Sequence, residues 1–397
     1  MLAALTLALA LPARAELAVY DAGRDPGQGI VWSADGYHYA FYESSDGEDR
    51  WVVDGKVRAR GPEGTLGGGA ALSRDGRILL HQTAVFDDKG RPLGLAAAVN
   101  GRRAGSPFEE LAAPAISPNA TNVAYAAKTA RGWVVRSQQG EGPALAELPL
   151  ALEVSEKETA YFAAEGGGAR LYRNHKPGPL KPYQQAAIAP GLARSGGVYQ
   201  TPAPEEAIRV EVDGTAYGPY ALASVPAFSA DGRHFAFLAA GPESQGNSYD
   251  LLIVDGVERP MHRCAGCTVT VDARGRAFQD LVLTAIGERA QIHAAFLDGK
   301  SLGGQPPKVG FSPGGAHFVY PMLANRGPAV GLDGALTESG APLPLPPAPV
   351  EFDGTDEYHY WSVDGKRLRL VCGSAAGPRA PKTRCEGVAR RAGWPRS

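Results

Sequence analysis

Short apolar runs alternate with polar breaks along most of the chain, and many runs end at a pair of turn-forming residues. The clearest example is the stretch 32–41, where Trp32 ends one apolar run, Ser-Ala-Asp-Gly forms a polar break, and Tyr39 starts the next run. Almost the same stretch returns at 228–237. Because Asp-Gly accepts the positive φ angles of a tight hairpin, each copy predicts two antiparallel strands joined by a turn.

The serine of this stretch, or a residue in its place, recurs about every 40 residues, which is the length of one propeller blade. Within most units a second apolar run ends at another Asp-Gly or Asn-Gly pair, as at 54–55 and 255–256, although the third and fourth units lack it. Two hairpins per unit predict four antiparallel strands, named a to d here, with the serine turn between a and b. The marker positions are Ser33, Ser73, Ser117, Ser155, Ser195, Ser229, Asp272, Ser312 and Asp353.

The pattern therefore predicts an all-β chain, a single β-propeller of four-stranded antiparallel blades, with nine repeat units counted and eight blades as the alternative. The ninth unit offers no fourth strand, since the chain after residue 372 is basic and rich in Gly, Ala, Pro and Arg. The apolar stretch 17–20 precedes the first unit. We expect it to supply the outer strand of the last blade and so to close the ring, which removes two exposed sheet edges.

The first residues predict an export signal. An apolar run from Leu2 to Leu11 precedes a small-x-small pattern that ends at Ala15, and a first buried strand is the alternative. We expect a signal peptide over 1–15, the propeller over 16–372 and a basic tail over 373–397, with no other stretch as long as the roughly 18 apolar residues of a membrane span. The proline-rich run 341–350 is expected to connect the eighth and ninth units.

The net charge and the cysteines indicate which partners and which compartment suit the chain. The net charge of −2 provides no overall cationic field that would attract nucleic acid. In an exported chain, four cysteines predict disulfides, and their proximity in sequence favours the pairs Cys264–Cys267 and Cys372–Cys385. The Cys-Ala-Gly-Cys spacing leaves a metal site or a redox dithiol as alternatives to a structural disulfide.

The repeated phrase, Phe/Trp-Ser-x-Asp-Gly-x-x-x-Ala-Phe followed by an apolar strand and Val-Asp-Gly, resembles the TolB-type, WD-repeat-like propellers of bacteria. The resemblance covers about residues 17–372, and we expect no counterpart of the N-terminal α/β domain of TolB. It implies a periplasmic or surface binding platform, and it transfers no catalytic residue to this chain.

The sequence has no P-loop, dinucleotide fingerprint or His-Glu-x-x-His motif. We therefore predict no catalytic, cofactor or metal residues. His38, His234 and His317 each follow their marker serine by five positions. Because equivalent positions in different blades lie apart, we expect these histidines to bond within their own blades, with a metal site as the alternative.

The connections between strands b and c carry the predicted binding site. Two of them, 83–92 and 241–249, are longer than a tight hairpin, and long loops on one rim of a rigid scaffold commonly bind partners. The candidate residues are Phe86, Asp87, Asp88, Lys89, Arg91, Glu243, Gln245, Asn247 and Tyr249. The predicted function is that of an exported, monomeric, non-enzymatic scaffold that binds a protein or a cell-envelope component. The alternatives are a polysaccharide lyase or glycosidase with its site at the channel mouth, and a passive structural module.

Overall fold

The computed structural model describes residues 15–21, 30–33, 35–244, 248–259, 261–284, 291–298, 300–301, 310–312, 316–324, 327–333, 335–336, 350–353, 356–364 and 367–375. These residues form strands, turns and one 3₁₀ turn at Pro190–Leu192, with no α-helix among them. Accordingly, no helix of this part of the chain could cross a membrane. The predicted signal peptide up to Arg14, most of the tail and the proline-rich run 341–349 lie outside these ranges.

The chain divides into two compact units, Gly29–Gly303 and a second unit that combines Met1–Gln28 with Gly304–Ser397. Strands are numbered here in chain order from β1 (Ala15–Asp21), which belongs to the second unit.

Within the unit Gly29–Gly303, the described residues form seven antiparallel sheets that follow one another in chain order. Sheet 1 comprises β2 (Val31–Trp32), β3 (Tyr39–Ser45), β4 (Glu48–Val53) and β5 (Lys56–Pro62). Sheet 2 comprises β6 (Leu66–Leu72), β7 (Leu79–Phe86), β8 (Pro92–Val99) and β9 (Arg102–Phe108). Sheet 3 comprises β10 (Glu110–Ile116), β11 (Val123–Thr129), β12 (Gly132–Ser137) and β13 (Gly140–Glu141). Sheet 4 comprises β14 (Ala151–Val154), β15 (Thr159–Glu165), β16 (Gly168–Arg173) and β17 (Lys176–Lys181).

The remaining sheets of this unit are built in the same way, except that the first strand of sheet 6 is split into two short pieces. Sheet 5 comprises β18 (Gln185–Ile188), β19 (Ser195–Gln200), β20 (Ile208–Val212) and β21 (Thr215–Tyr220). Sheet 6 comprises β22 (Leu222–Ala223), β23 (Ala227–Phe228), β24 (Phe235–Ala240), β25 (Leu251–Val254) and β26 (Val257–Arg259). Sheet 7 comprises β27 (Thr268–Val271), β28 (Ala277–Thr284), β29 (Gln291–Leu297) and β30 (Lys300–Ser301).

The second unit holds two further sheets of the same kind. Sheet 8 comprises β31 (Gly310–Phe311), β32 (Phe318–Ala324), β33 (Gly327–Leu332) and β34 (Ala335–Leu336). Sheet 9 comprises β35 (Val350–Phe352), β36 (Glu357–Asp364), β37 (Arg367–Ser374) and the N-terminal strand β1 in the order β1-β37-β36-β35. Four-stranded antiparallel sheets that follow in chain order are the units of which a propeller is built, and the predicted all-β repeat of such sheets is confirmed.

The predicted fourth strand of the ninth unit is present. β1 pairs antiparallel with β37, in a register that places Leu17 opposite Leu370 and Asp21 opposite Arg367. β37 continues to Ser374, so the last sheet ends two residues beyond the predicted boundary at 372. Sheets 8 and 9 share a buried apolar cluster that includes Val319, Tyr358 and Val371.

The serine turn is closed by one backbone hydrogen bond and one hydrogen bond to the serine side chain. The Ser33 N–H donates to the His38 carbonyl at 2.9 Å, and the His38 N–H donates back to the Ser33 hydroxyl oxygen at 2.9 Å. The Ser33 hydroxyl then donates to Asp35 at 2.8 Å. The same hydroxyl-to-backbone contact recurs at Ser73, Ser117, Ser229 and Ser312.

The second turn, between strands c and d, is locked by the Asp side chain. Asp255 adopts φ 51°, and its Oδ1 accepts the N–H of Phe235, the first residue of β24, at 3.0 Å. Asn can replace Asp because both tolerate a left-handed backbone and both carry the acceptor oxygen. The equivalent residues are Asp54, Asn100, Asn174, Asp213, Asp298 and Asp333. The fourth unit, which lacks Asp-Gly, therefore makes this turn with Asn174-His175, at φ 47° and 64°.

Neighbouring sheets of the first unit contact each other through the same turns. A Cβ at Gly76, in the serine turn of sheet 2, would lie 2.6 Å from the His38 ring of sheet 1. Gly275, in the turn of sheet 7, lies in the same way against His234 and Asp255 of sheet 6. At Gly76 and Gly275, glycine is thus favoured both by its positive φ and by the closeness of the preceding sheet.

Candidate functional site

The recurring histidines form one contact each with the aspartate of the c–d turn. Nδ1 of His38, His234 and His317 lies 2.7, 2.6 and 2.6 Å from Oδ2 of Asp54, Asp255 and Asp333. The marker serine bonds the backbone of the histidine and not its imidazole, so the three residue types do not form a nucleophile–base pair. Each histidine joins the two turns of its own sheet, as predicted, and His317 Nε2 also lies 3.4 Å from Asp356 Oδ1 in the turn before β36 of sheet 9.

The His38–Asp54 contact makes stability depend on pH. Burial opposes protonation of His38, but the hydrogen bond and the charge of Asp54 outweigh it and hold the pKa of His38 above its ordinary value of about 6.5. A raised folded-state pKa contributes stability below the unfolded pKa, and this stability is lost as the pH rises through the folded pKa. We expect His38→Gln to cost on the order of 1 kcal/mol in the free energy of unfolding at pH 5.5.

At pH 8 the cost of His38→Gln should be smaller, and urea denaturation at the two pH values measures the difference. His81→Gln is the control, because burial lowers the pKa of His81 and its contribution should change with pH in the opposite direction. A cost of His38→Gln that stays constant between the two pH values would contradict this role of the His38–Asp54 pair.

Each sheet has two chemically different ends. Asp54 of the c–d turn bonds His38 and Tyr39 beside the serine turn, so both of these turns lie at one end of the sheet, called here the serine-turn end. The b–c connections and the connections from strand d to the next sheet lie at the other end, called here the loop end. The predicted binding loops belong to the loop end.

The b–c connection of sheet 2 is shorter than predicted. The residues from Thr83 to Phe86 continue β7 and Pro92 begins β8, because this apolar stretch pairs across the hairpin as far as Phe86 and Pro92. The loop proper is 87–91. Phe86, Asp88, Lys89 and Arg91 are exposed around it.

Asp87 organises this loop. Its Oδ1 accepts the N–H groups of Lys89 at 2.9 Å and Arg91 at 2.8 Å, and its Oδ2 lies 2.7 Å from Arg91 Nε. The hydrogen bonds from Arg91 lower the pKa of Asp87. Asp87 therefore shapes the loop, while Asp88 and Lys89 extend from it.

The b–c connection of sheet 6 is tied to the disulfide. Tyr249 and Cys264 exchange backbone hydrogen bonds at 2.8 and 3.0 Å, and Cys264 is bonded to Cys267 in the connection that leads to sheet 7. Tyr249 is half-buried and packs against the apolar cluster that contains Cys264, so it anchors this end of the loop to the core. Glu243 is exposed, and Gln245 and Asn247 lie outside the described residues.

The disulfide Cys264–Cys267 confirms one predicted pair. Cys372 is also disulfide-bonded, and its predicted partner Cys385 lies outside the described residues. Where side chains are described, no group of three His, Cys, Asp or Glu residues has metal-binding geometry. Disulfide-bonded cysteines are typical of chains that fold in an oxidising compartment.

A third long b–c connection was missed by the sequence analysis. Thr201–Ala207 joins β19 to β20 and is closed by the Thr201 hydroxyl, which accepts the Ala207 N–H at 3.0 Å. Its Pro, Ala and Glu residues resemble a linker in sequence, but the length of the connection could have been read from the spacing between the two strands. Sheets 5 and 6 therefore both extend polar loops at the loop end.

Exposed apolar side chains favour the loop end of sheets 2 to 4. Among the described residues, eight large apolar side chains are exposed, and five of them lie at or next to loop-end connections. Two others, Val57 and Val257, are the second residue of β5 and the first residue of β26, just after the Asp-Gly turns of the serine-turn end, and Tyr42 is in mid-strand. The five are Phe86, Leu93, Leu148, Leu150 and Leu180.

Comparisons with known proteins find only distant structural similarity. No family model and no curated protein matches it. It is similar to a eukaryotic initiation factor at 12% identity and a TM-score of 0.47, covering 82% of this chain and 97% of that chain. It is similar to the Dos1 propeller at 10% identity and a TM-score of 0.38, covering 95% and 97%. It is also similar to the β-propeller domain of the Trilobed protease from Pyrococcus furiosus at 10% identity and a TM-score of 0.35, covering 78% and 92%.

Proposed function

We propose that the chain is an exported, non-enzymatic propeller of the TolB-like type that binds a protein of the cell envelope through its loop end. Each sheet would be one blade, and β1 would complete the last of them. The observation that carries the proposal is the uneven distribution of exposed apolar side chains, five of which lie at the loop end of sheets 2 to 4.

A protein partner fits this surface better than a small ligand does. Exposed apolar side chains that lie beside charged residues are typical of the surfaces through which proteins bind one another. Phe86 and Leu93, which are 45% and 55% exposed, flank a loop that carries the charges of Asp88, Lys89 and Arg91. The apolar pair would supply the contact area, and the charges would form its rim.

The serine-turn end would have a structural role. Its side chains are used in the repeated serine, histidine and aspartate contacts, and its glycines fit against the preceding sheet. An end whose polar groups are paired internally has fewer groups to offer a partner.

The test compares two charge substitutions at equal exposure. Leu93 at the loop end and Val257 at the serine-turn end are each 55% exposed, so Leu93→Asp and Val257→Asp change the surface to a similar extent. A partner captured from the native envelope by the unaltered protein should bind Leu93→Asp about tenfold more weakly, as for an interface residue worth more than 1 kcal/mol. The same partner should bind Val257→Asp unchanged, and calorimetry with the purified partner measures both affinities.

Loss of binding in Val257→Asp with retention in Leu93→Asp would place the binding surface at the opposite end. Both variants should keep the melting temperature of the unaltered protein, since each replaces an exposed side chain.

An enzymatic function has one observation in its favour. Glu153 lies on β14, the first strand of sheet 4, and burial raises the pKa of its carboxyl to about 7. A carboxyl with that pKa suits a general acid. If the chain cleaved a glycan, Glu153→Gln would abolish the cleavage and leave partner binding intact.

A further inference from the structure

Sheets 4 and 5 leave a cavity of about 570 Å³ between them. One wall comes from β15, β16 and β17 of sheet 4, and the other from β19, β20 and the turn after β20 in sheet 5. This volume lies within the range of sites that bind small organic molecules. The cavity is separate from the exposed apolar residues of the loop end, except that it shares β17 with Leu180.

The repeat itself shows why the cavity exists. In sheet 6 the first and third residues of strand b are Phe235 and Phe237, and their rings pack against Tyr217 of sheet 5 at 5.6 and 5.9 Å. Phe237 also contacts Tyr220 of sheet 5 at 5.9 Å. These four aromatic rings fill the space between sheets 5 and 6.

The equivalent positions of sheet 5 carry Ser195 and Gly197. The equivalence rests on a shared contact, since the Ser195 N–H donates to Asp213 Oδ1 at 3.0 Å just as the Phe235 N–H donates to Asp255 Oδ1. The Tyr183 ring covers Gly197, where a Cβ would lie 2.4 Å from the ring. Nothing replaces the first aromatic ring at Ser195, so that part of the space remains open and lines the cavity.

The lining has an apolar floor and a positively charged rim. Phe162, Leu171 and Pro177 contribute apolar surface. Five charged side chains also line the cavity, namely Arg173, Lys176, Lys181, Glu211 and Asp213. Three are cations and two are carboxylates, so the lining has one positive charge in excess.

The two carboxylates are already neutralised. Glu211 accepts from Lys181 Nζ at 2.6 Å and from the Tyr183 hydroxyl at 2.8 Å. Asp213 accepts from Arg194 Nε at 2.6 Å. This pairing leaves neither carboxylate to repel an anion or to hold a cationic ligand.

Of the three cations, only Lys176 has no carboxylate partner among the described residues. Arg173 pairs with Glu158 at 3.0 Å, whereas Lys176 is exposed and makes no ion pair within the part of the chain that the structure describes. The excess positive charge of the lining is therefore placed at Lys176.

We propose that this cavity is a binding site for a small amphipathic carboxylate, whose apolar body occupies the space beside Ser195 and whose carboxylate pairs with Lys176. The apolar floor selects the body of the ligand, and the unpaired ammonium group selects its charge. The site is independent of the proposed protein partner.

The test uses 2-naphthoate as the probe and isothermal titration calorimetry on the purified protein. We expect saturable binding of one 2-naphthoate per chain, and binding about fivefold weaker for the neutral analogue 2-naphthamide, which cannot pair with an ammonium group. Ser195→Phe restores the aromatic residue that the repeat carries in sheet 6 and fills the cavity, so it should weaken 2-naphthoate binding at least about tenfold while keeping or raising the melting temperature.

A pair of surface lysines supplies the matched control. Lys176→Met should weaken 2-naphthoate binding about fivefold, whereas Lys157→Met, an exposed lysine of the same sheet that does not line the cavity, should leave it unchanged. The proposal is overturned if the unaltered protein does not bind 2-naphthoate, if folded Ser195→Phe binds it as well as the unaltered protein does, or if 2-naphthamide binds equally well. Because neither lysine is buried, the lysine comparison stands even if Ser195→Phe fails to fold.

Discussion

Deleting residues 16–21 should lower the melting temperature of the protein by about 10 °C or more. The deletion removes nearly all of β1, which pairs with β37 along the register from Glu16–Val371 to Asp21–Arg367. Without β1, the backbone groups of β37 that face it lose their partners and the sheet gains an open edge. The change is measured by thermal unfolding of the deleted and unaltered proteins.

Rescue in trans distinguishes the loss of this strand from a general effect of truncation. A synthetic peptide with the sequence of residues 15–21 should restore most of the melting temperature of the deleted protein, whereas a scrambled peptide should not. A deleted protein that melts like the unaltered one would show that β1 does not contribute to the stability of sheet 9.

Phe237→Ala should lower the free energy of unfolding by about 3–5 kcal/mol, as is usual when a fully buried phenylalanine is truncated. Phe237 is completely buried and contacts Tyr217 and Tyr220 of the neighbouring sheet. Removing its ring leaves a cavity between sheets 5 and 6, because the backbones of two packed sheets cannot move close enough together to fill it. Urea denaturation measures the loss.

Phe228→Ala is the matched control, since Phe228 belongs to the same repeated stretch but is only half-buried. It should cost about 1 kcal/mol. If Phe237→Ala cost no more than Phe228→Ala, aromatic packing between the sheets would not be what holds them together, and the explanation of the cavity at Ser195 would lose its basis.

Much of the fold could be predicted because the chain repeats its turns. Ser-x-Asp-Gly and the second Asp-Gly carry backbone requirements that a single sequence reveals, namely a positive φ and a side chain that accepts a nearby N–H. The fourth strand of the ninth unit could also be predicted, because that unit offered only three strands and the apolar N-terminal stretch belonged to no other unit. Asn174-His175 was not recognised, since His at a left-handed position is uncommon and only the structure shows its φ of 64°.

The candidate site was harder to predict, because its features depend on three-dimensional neighbours. The length of the loop after Phe86 depends on how far β7 and β8 remain paired. The position of Tyr249 depends on its backbone hydrogen bonds to Cys264, which follows it in the chain and forms a disulfide. The cavity depends on an absent ring at Ser195, which has meaning only after the repeats are aligned by their hydrogen bonds. Exposure of Leu93 likewise follows from packing and not from its apolar character.

We propose that the loop end binds a partner and that the serine-turn end does not. The most direct measurement of this difference is photo-crosslinking in intact cells, with a photoreactive phenylalanine analogue placed at Leu93 or, for comparison, at the equally exposed Val257. We expect a discrete crosslinked band from position 93 that disappears when Phe86→Asp is added, and no discrete band from position 257. A partner crosslinked from position 257 and not from position 93 would contradict the claim.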